Sequence, residues 1–141
     1  MKSIGFTGAQ RGMSPRQKKA IAKLAHRLNP QVVHLGDCVG ADDEMYEIAI
    51  LLGCATIGHP PTEGGRRAFR DYNEEREPKP FLERNYDIAM EGEDGLIAAP
   101  EGFIEELRSG TWSTVRRARK LGRRIWIVKP DGTTIEEGTK P

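Results

Sequence analysis

The sequence predicts an α/β fold in which a doubly wound, mainly parallel sheet of about five strands is flanked by helices. Short apolar runs that suit strands alternate with segments whose apolar residues recur at spacings of three and four, as in amphipathic helices. Turns of glycine and other small residues follow these runs, as at Gly8, at Gly36–Gly40 and at Ala99–Pro100. This alternation is typical of a parallel sheet that is covered by helices on both faces.

The first half of the chain contains three predicted strands and two predicted helices. The first helix begins at a capping box formed by Ser14 and Gln17. The second helix is expected to be capped by Asp42 or Asp43. The strands are expected at residues 2–6, 31–35 and 55–58.

The second half contains a long loop, two helices and two further strands. Segment 59–80 carries four prolines, paired glycines and many charges without any period, which predicts a loop that covers the ligand edge as a lid or rim. Arg66, Arg67 and Arg70 are its candidate phosphate contacts; the alternative is a mobile surface loop. Helices are expected at 81–90 and 111–121, a helical turn at 102–109, strands at 95–99 and 124–128, and a short edge strand near 133–135 in the polar tail 129–141.

Composition favours a single soluble domain that spans residues 1–141. No apolar run approaches the length of about 20 residues that crosses a bilayer. The chain starts directly in a strand without a signal peptide, so a cytoplasmic location is expected. The two cysteines, Cys38 and Cys54, suit a reducing compartment. A net charge of +1 argues against a nucleic-acid partner.

Three glycine turns predict a binding site for an anion. A strand, a turn of small residues and a helix N-terminus together present free backbone N–H groups to a ligand. Such turns stand at Gly8, at Gly36–Gly40 and at Gly110–Thr111. Because ligands of doubly wound sheets bind beyond the carboxyl ends of the strands, we expect one composite pocket for a phosphate-bearing small molecule.

Three segments resemble motifs of the SLOG superfamily, a Rossmann-like group. They are Phe6-Thr7-Gly8-Ala9-Gln10-Arg11, then His34-Leu35-Gly36-Asp37-Cys38-Val39-Gly40-Ala41-Asp42, then Arg84-Asn85 with Leu96-Ile97-Ala98-Ala99-Pro100 and Gly110-Thr111. The superfamily includes the DNA-processing proteins of natural transformation and the Lonely Guy phosphoribohydrolases, and this chain is most similar to its small bacterial and phage members. The resemblance covers residues 4–128 and implies a nucleotide-binding domain.

The resemblance and the turns together indicate ten ligand-binding residues. They are Gly8, Arg11, Gly36, Asp37, Gly40, Asp42, Arg84, Asn85, Gly110 and Thr111. Plainer interpretations exist for several of them: Asp42 and Thr111 are also suited to capping their helices, and Arg84 is also suited to a solvated helix face. His34 is interpreted as structural, and with Cys38 and His59 it has no usual metal-site spacing, so neither a metal nor a cofactor is expected.

One departure from the resemblance bears on catalysis. The phosphoribohydrolases carry a glutamate where this chain has Thr114, which cannot serve as a reactive carboxylate. One of Glu101, Glu105 and Glu106 is a substitute, unless these residues form only a solvated acidic loop.

Three functions follow as hypotheses. The first is a protein that senses or sequesters a nucleotide or nucleotide-derived metabolite; the second is a hydrolase of the N-glycosidic bond of a nucleoside monophosphate; the third is a nucleic-acid-binding accessory protein. A homodimer is also expected, through Trp112 or through Phe103, Ile104 and Leu107, although Trp112 equally suits the intramolecular core.

Overall fold

The computed structural model describes residues 1–63 and 66–138, which form an α/β structure with four helices and seven strands. The helices are α1 (Pro15–Leu28), α2 (Ala41–Leu51), α3 (Phe81–Glu91) and α4 (Gly110–Lys120). The strands are β1 (Ser3–Gly8), β2 (Val32–Leu35), β3 (Ala55–Gly58), β4 (Glu74–Glu75), β5 (Leu96–Ala99), β6 (Ile125–Val128) and β7 (Thr134–Glu137).

The seven strands form one sheet in the order β4-β3-β2-β1-β5-β6-β7. All neighbours are parallel except β6 and β7, which are antiparallel. The chain starts at the central strand β1, moves outward through β2 to β4, and crosses through α3 to β5 on the other side of β1. The strand order therefore reverses beside β1, where doubly wound sheets form their ligand crevice.

Helices cover both faces of this sheet. The α1 and α2 helices pack on one face around Ile4, Phe6 and Met45, and α3 and α4 pack on the other around Ile88 and Trp112. The doubly wound α/β architecture is thus confirmed. Trp112 is 5% exposed and belongs to the second core, so the structure supports the intramolecular alternative for this residue.

The capping box at the start of α1 is present as predicted. Ser14 Oγ accepts from the Gln17 backbone N–H at 3.0 Å, and Gln17 Oε1 accepts from the Ser14 N–H at 3.2 Å. The side-chain amide of Gln17 also donates to the carbonyls of Pro100 at 2.9 Å and Val128 at 2.8 Å. This buried glutamine therefore joins the start of α1 to the ends of β5 and β6.

Some predicted elements require correction. The sheet has seven strands rather than about five, because the two-residue β4 was not anticipated and the tail contributes β7. The predicted helical turn at 102–109 is wrong: the segment is irregular, and Ile104 and Leu107 are 77% and 86% exposed. Residues 139–141 of the predicted tail lie outside the described residues. Within the described part of the chain, no helix combines the length and the apolarity that crossing a bilayer requires.

Candidate functional site

A cleft of about 770 Å³ opens at the carboxyl ends of the central strands. Its walls come from the turn after β1, the turn after β2, the start of α3 and the segment that leads into α4. Eight of the ten predicted ligand residues line it, namely Gly8, Arg11, Gly36, Asp42, Arg84, Asn85, Gly110 and Thr111. Three turns that are far apart in sequence thus meet at the sheet edge where they were expected.

Arg84 is the buried cation of this cleft. Its side chain comes from the first turn of α3, and the residue is 7% exposed. Nη1 donates to the carbonyl of Gly36 and, at 3.2 Å, to that of His59, while Nε donates to Asn85 Oδ1 at 2.9 Å. These acceptors are neutral, and among the described residues no carboxylate lies within ion-pair distance of Arg84. Its positive charge is therefore not neutralised by a salt bridge.

Asp42 supplies the buried carboxyl group of the same wall. Its Oδ2 accepts from the Cys38 backbone N–H at 3.3 Å. Burial raises the pKa of Asp42 to about 7, although the nearby Arg84 acts in the opposite direction. Near neutral pH, this group is thus able to exchange a proton.

Gly36 lies between these two charged side chains. A Cβ atom at this position would lie 2.8 Å from Arg84 Nη1 and 2.8 Å from Asp42 Oδ2. Glycine is therefore what allows the guanidinium and the carboxyl group to approach the β2 turn together.

The N-terminus of α4 forms the facing wall. Ser109 is its N-cap and accepts from the Trp112 N–H at 3.3 Å, which corrects the alternative that Thr111 is the N-cap. The first N–H groups of a helix lack intrahelical partners, and the helix dipole adds partial positive charge there. Space around Gly110 is open, since a Cβ atom at this position would contact nothing within 4 Å.

Thr114 does not take part in the cleft. It is fully buried, and its Oγ1 donates to the Gly110 carbonyl at 3.1 Å within α4. Of the three candidate replacement carboxylates, Glu101 and Glu106 line the cleft. Glu105 instead binds Arg116 at 3.1 Å and Arg119 at 2.8 Å.

Arg11 lies on the rim rather than in the wall. Its side chain is 83% exposed, and Nη1 lies 2.9 Å from Glu101 Oε1. The pair bridges the mouth of the cleft from the β1 turn to the segment before α4.

Asp37 and Gly40 do not line the cleft, which corrects their predicted placement. Asp37 is fully buried and accepts from Arg67 Nε at 2.5 Å, Tyr72 Oη at 2.7 Å and the Phe69 N–H at 3.0 Å. It is an anchor for the segment after β3. Gly40 caps α2 with φ of +89°, and a Cβ there would overlap the Gln10 carbonyl. It therefore allows two turns to pack, and the predicted Asp cap of α2 is wrong.

Segment 59–80, which was predicted to cover the ligand edge as a lid or rim, lies away from the cleft. Arg67 pairs with Asp37, and Arg70 pairs with Asp43 at 2.5 Å and Glu47 at 2.8 Å. Within the described residues of segment 59–80, none lines the cleft. Arg67 and Arg70 hold the loop against the β2 turn and α2, because their carboxylate partners lie there. Gly64 and Gly65 lie outside the described residues.

A second cluster of ionisable side chains lies outside the cleft. His34 Nδ1 is 2.9 Å from His59 Nε2 and 3.9 Å from Glu91 Oε1. Burial lowers the pKa of both histidines, so both are neutral at physiological pH. From the sequence, His34 and His59 were considered together with Cys38 and showed no usual metal-site spacing, whereas Glu91, which lies on a third element, was missed.

Comparison with known proteins identifies the fold. No protein-family model and no curated protein matches the sequence. Similar solved structures include TM1055, a structural genomics target, and DNA processing protein A from Helicobacter pylori, which binds single-stranded DNA. TM1055 has a TM-score of 0.59 at 16% identity, over 89% of this chain and 72% of that one. DNA processing protein A has a TM-score of 0.58 at 18% identity, over 89% of this chain and 65% of that protein.

The chain thus spans just under two thirds of DNA processing protein A. Both likenesses are too distant in sequence to transfer an activity. They agree with the doubly wound, Rossmann-like fold that the sequence predicts.

Proposed function

We propose that the cleft binds a nucleotide or a nucleotide-derived metabolite through its phosphate group, and that the protein senses or sequesters this ligand. The observation that carries the proposal is the position of Arg84. Among the described residues, its buried guanidinium has no carboxylate within ion-pair distance, and it lines the same cleft as Asp42 and the N-terminus of α4. Both groups favour an anion, and charge-assisted hydrogen bonds to phosphate are among the stronger ones in proteins.

The remaining wall residues suit the rest of such a ligand. A volume of about 770 Å³ lies in the range of about 300–1,000 Å³ that small-molecule sites occupy. Gly110 and Thr111 would donate to phosphate oxygens. Gly8 lines the β1 turn, and its lack of a Cβ atom allows Ala41 at the start of α2 to pack against that turn. Asp42 would accept from a ribose hydroxyl or from an amino group of the base.

Hydrolysis of an N-glycosidic bond is a second candidate. The acidic groups of the cleft favour it, since Asp42, Glu101 and Glu106 all line the wall. In this reaction water attacks the anomeric carbon, a carboxylate accepts the proton of the water, and the bond to the base breaks as the base accepts a proton. Asp42, with a pKa of about 7, suits the proton donor.

Single-stranded DNA is a third candidate ligand. The likeness to DNA processing protein A weakens the expectation against a nucleic-acid partner that was drawn from the net charge. Arg108 and Arg116 line the cleft near its mouth, where a phosphate backbone would pass. Two observations argue against DNA binding: the net charge is only +1, and Arg116 is already paired with Glu105.

Calorimetric titration of the purified chain separates these candidates. The panel contains inorganic phosphate, nucleosides, nucleoside monophosphates, ADP-ribose and a thymidine oligonucleotide, each at low and high salt. We expect a phosphorylated small molecule to bind and the matching nucleoside to bind much more weakly. Equal affinity for nucleoside and nucleotide would overturn the phosphate site. A preference for the oligonucleotide with a steep salt dependence would favour DNA, and release of free base from a bound nucleotide would show hydrolysis.

A pair of variants localises the binding. Arg108→Ala removes an exposed cation of the cleft, and Arg117→Ala removes an arginine of α4 that lines a separate surface groove. We expect only Arg108→Ala to weaken the binding of the phosphorylated ligand. Equal effects of the two variants would show that binding follows general charge rather than the cleft.

A further inference from the structure

The cluster of His34, His59 and Glu91 joins three elements of the fold. His34 belongs to β2, His59 directly follows β3, and Glu91 is the last residue of α3. One donor atom from each residue lies within 4.8 Å of the other two. The histidines are 4% and 2% exposed, so this arrangement belongs to the protein interior rather than to a solvated surface.

The distances between the donors come close to those around a small metal ion. Ligands that bind Zn²⁺ tetrahedrally at about 2.1 Å lie about 3.4 Å from one another. The observed separations from His34 Nδ1 are 2.9 Å to His59 Nε2 and 3.9 Å to Glu91 Oε1, which bracket this value. Shifts of about half an ångström in the side chains would equalise them.

We propose that His34 Nδ1, His59 Nε2 and the Glu91 carboxylate form a Zn²⁺ site with a fourth position open to water. Two imidazoles and one carboxylate are a common donor set for zinc with three protein ligands. Both ring nitrogens that face each other must offer lone pairs to the metal. The ring protons then reside on His34 Nε2 and His59 Nδ1, and the two neutral imidazoles keep their proton count.

Arg76 competes with the metal for Glu91. Its Nε and Nη2 donate to Glu91 Oε1 at 3.1 Å and 2.7 Å. Its side chain is 40% exposed and that of Glu91 is 26% exposed, so the arginine can move into solvent and open a route to the site. Without a metal, the same groups form a hydrogen bond between the histidines and an ion pair between Arg76 and Glu91. The competition gives the proposal a specific test.

The experiment titrates metal-free full-length chain with Zn²⁺ by calorimetry and with Co²⁺ by visible absorption. We expect one Zn²⁺ per chain and the absorption of Co²⁺ in a tetrahedral site. Glu91→Gln should weaken binding by more than about tenfold, because changes even in the outer shell of a metal site cost about 10–100-fold. Arg76→Ala should tighten binding severalfold. The exposed His26 provides the control, since His26→Ala should leave affinity unchanged.

A measurement on the wild-type chain keeps the proposal testable if variants of these buried residues fail to fold. The ring ¹⁵N chemical shifts of His34 and His59 should change on addition of one equivalent of Zn²⁺, with those of His26 constant. Absence of stoichiometric binding would overturn the proposal. So would binding that perturbs His26 alone, or binding that Glu91→Gln and Arg76→Ala leave unchanged.

Discussion

The carboxylate of Asp37 and the guanidinium of Arg67 form an ion pair of 2.5 Å that fastens the segment after β3 to the turn after β2. Asp37 has no exposed surface, whereas the Arg67 side chain is 20% exposed. The same carboxylate accepts from Tyr72 and from the Phe69 backbone. One buried charge therefore organises a loop that contains little regular structure.

Asp37→Asn should destabilise the fold by about 1.5–3 kcal/mol, because hydrogen bonds to a charged group contribute in this range. Asparagine tolerates the φ of +57° at this position, so the change removes the charge and one acceptor oxygen without adding backbone strain. The free energy of unfolding in urea measures the effect. Asp43→Asn, at a partly exposed ion pair with Arg70, is the control and should cost less than about 1 kcal/mol. Equal costs would refute the anchoring role of Asp37.

Asp42→Asn should stabilise the chain, and more so at pH 8 than at pH 5. The pKa of Asp42 is about 7 in the folded state against an ordinary value of 3.8, mainly because of burial. Folding therefore binds a proton between these values, and the destabilisation by this group grows as pH rises to about 7 and is complete above it. At about 1.4 kcal/mol per pKa unit, the gain should differ by about 2.6 kcal/mol between the two pH values.

Urea unfolding at both pH values measures this gain. The charged neighbours that contribute to the shift are Arg84, Asp37 and Asp43, and all remain in the variant. A gain that is the same at pH 5 and pH 8 would show that Asp42 titrates normally.

Arg84→Lys should weaken the binding of a phosphorylated ligand by about 1.5–3 kcal/mol, the range for charge-assisted hydrogen bonds. Lysine keeps the charge but lacks the planar fork that serves two carbonyls and Asn85 together. The variant is measured by calorimetry at a temperature where circular dichroism shows it folded.

Arg123→Lys provides the matched control for Arg84. Arg123 also donates to two backbone carbonyls, those of Ala89 and Met90, but it does not line the cleft. We expect this control to alter stability alone. An unchanged affinity in Arg84→Lys would exclude Arg84 as a ligand contact.

Self-association stays a prediction, now confined to the segment before α4. Phe103, Ile104 and Leu107 are 53%, 77% and 86% exposed, whereas Trp112 is buried. Leu107→Lys should convert a dimer into a 15.7 kDa species in sedimentation. Leu51→Lys is the control, because Leu51 is 85% exposed at the end of α2. A wild-type chain that sediments at 15.7 kDa at high concentration would refute the dimer.

Local signals in the sequence predict the fold well. The Ser14–Gln17 capping box and the apolar spacing of α1 arise from contacts within one helix, so they can be read from the sequence. The helical turn at 102–109 was predicted from similar spacing, but its apolar side chains find no core to pack against. The two-residue β4 carries charged side chains and has no apolar pattern that would reveal it.

The part of the candidate site that follows from the sheet topology could be predicted from the sequence. Parallel strands place their following turns at one edge, which brought Gly8, Gly36 and Gly110 together. The partners of Asp37 and Arg67 depend instead on the path of an irregular loop, which no local pattern specifies. His59 and Glu91 likewise meet His34 only after three elements have packed.

The Gln17 amide fixes one end of the irregular segment 101–109 that borders the cleft. Its bonds to the carbonyls of Pro100 and Val128 hold the end of β5 to the body of the sheet. At the other end, the Ser109 cap holds the start of α4. Segment 101–109 is thus fixed at both ends, and any adjustment of the cleft to a ligand of different size must come from a change in this segment. Any adaptation of the cleft to ligands of different size should therefore be confined to these nine residues, while the walls formed by the β1 and β2 turns keep their shape.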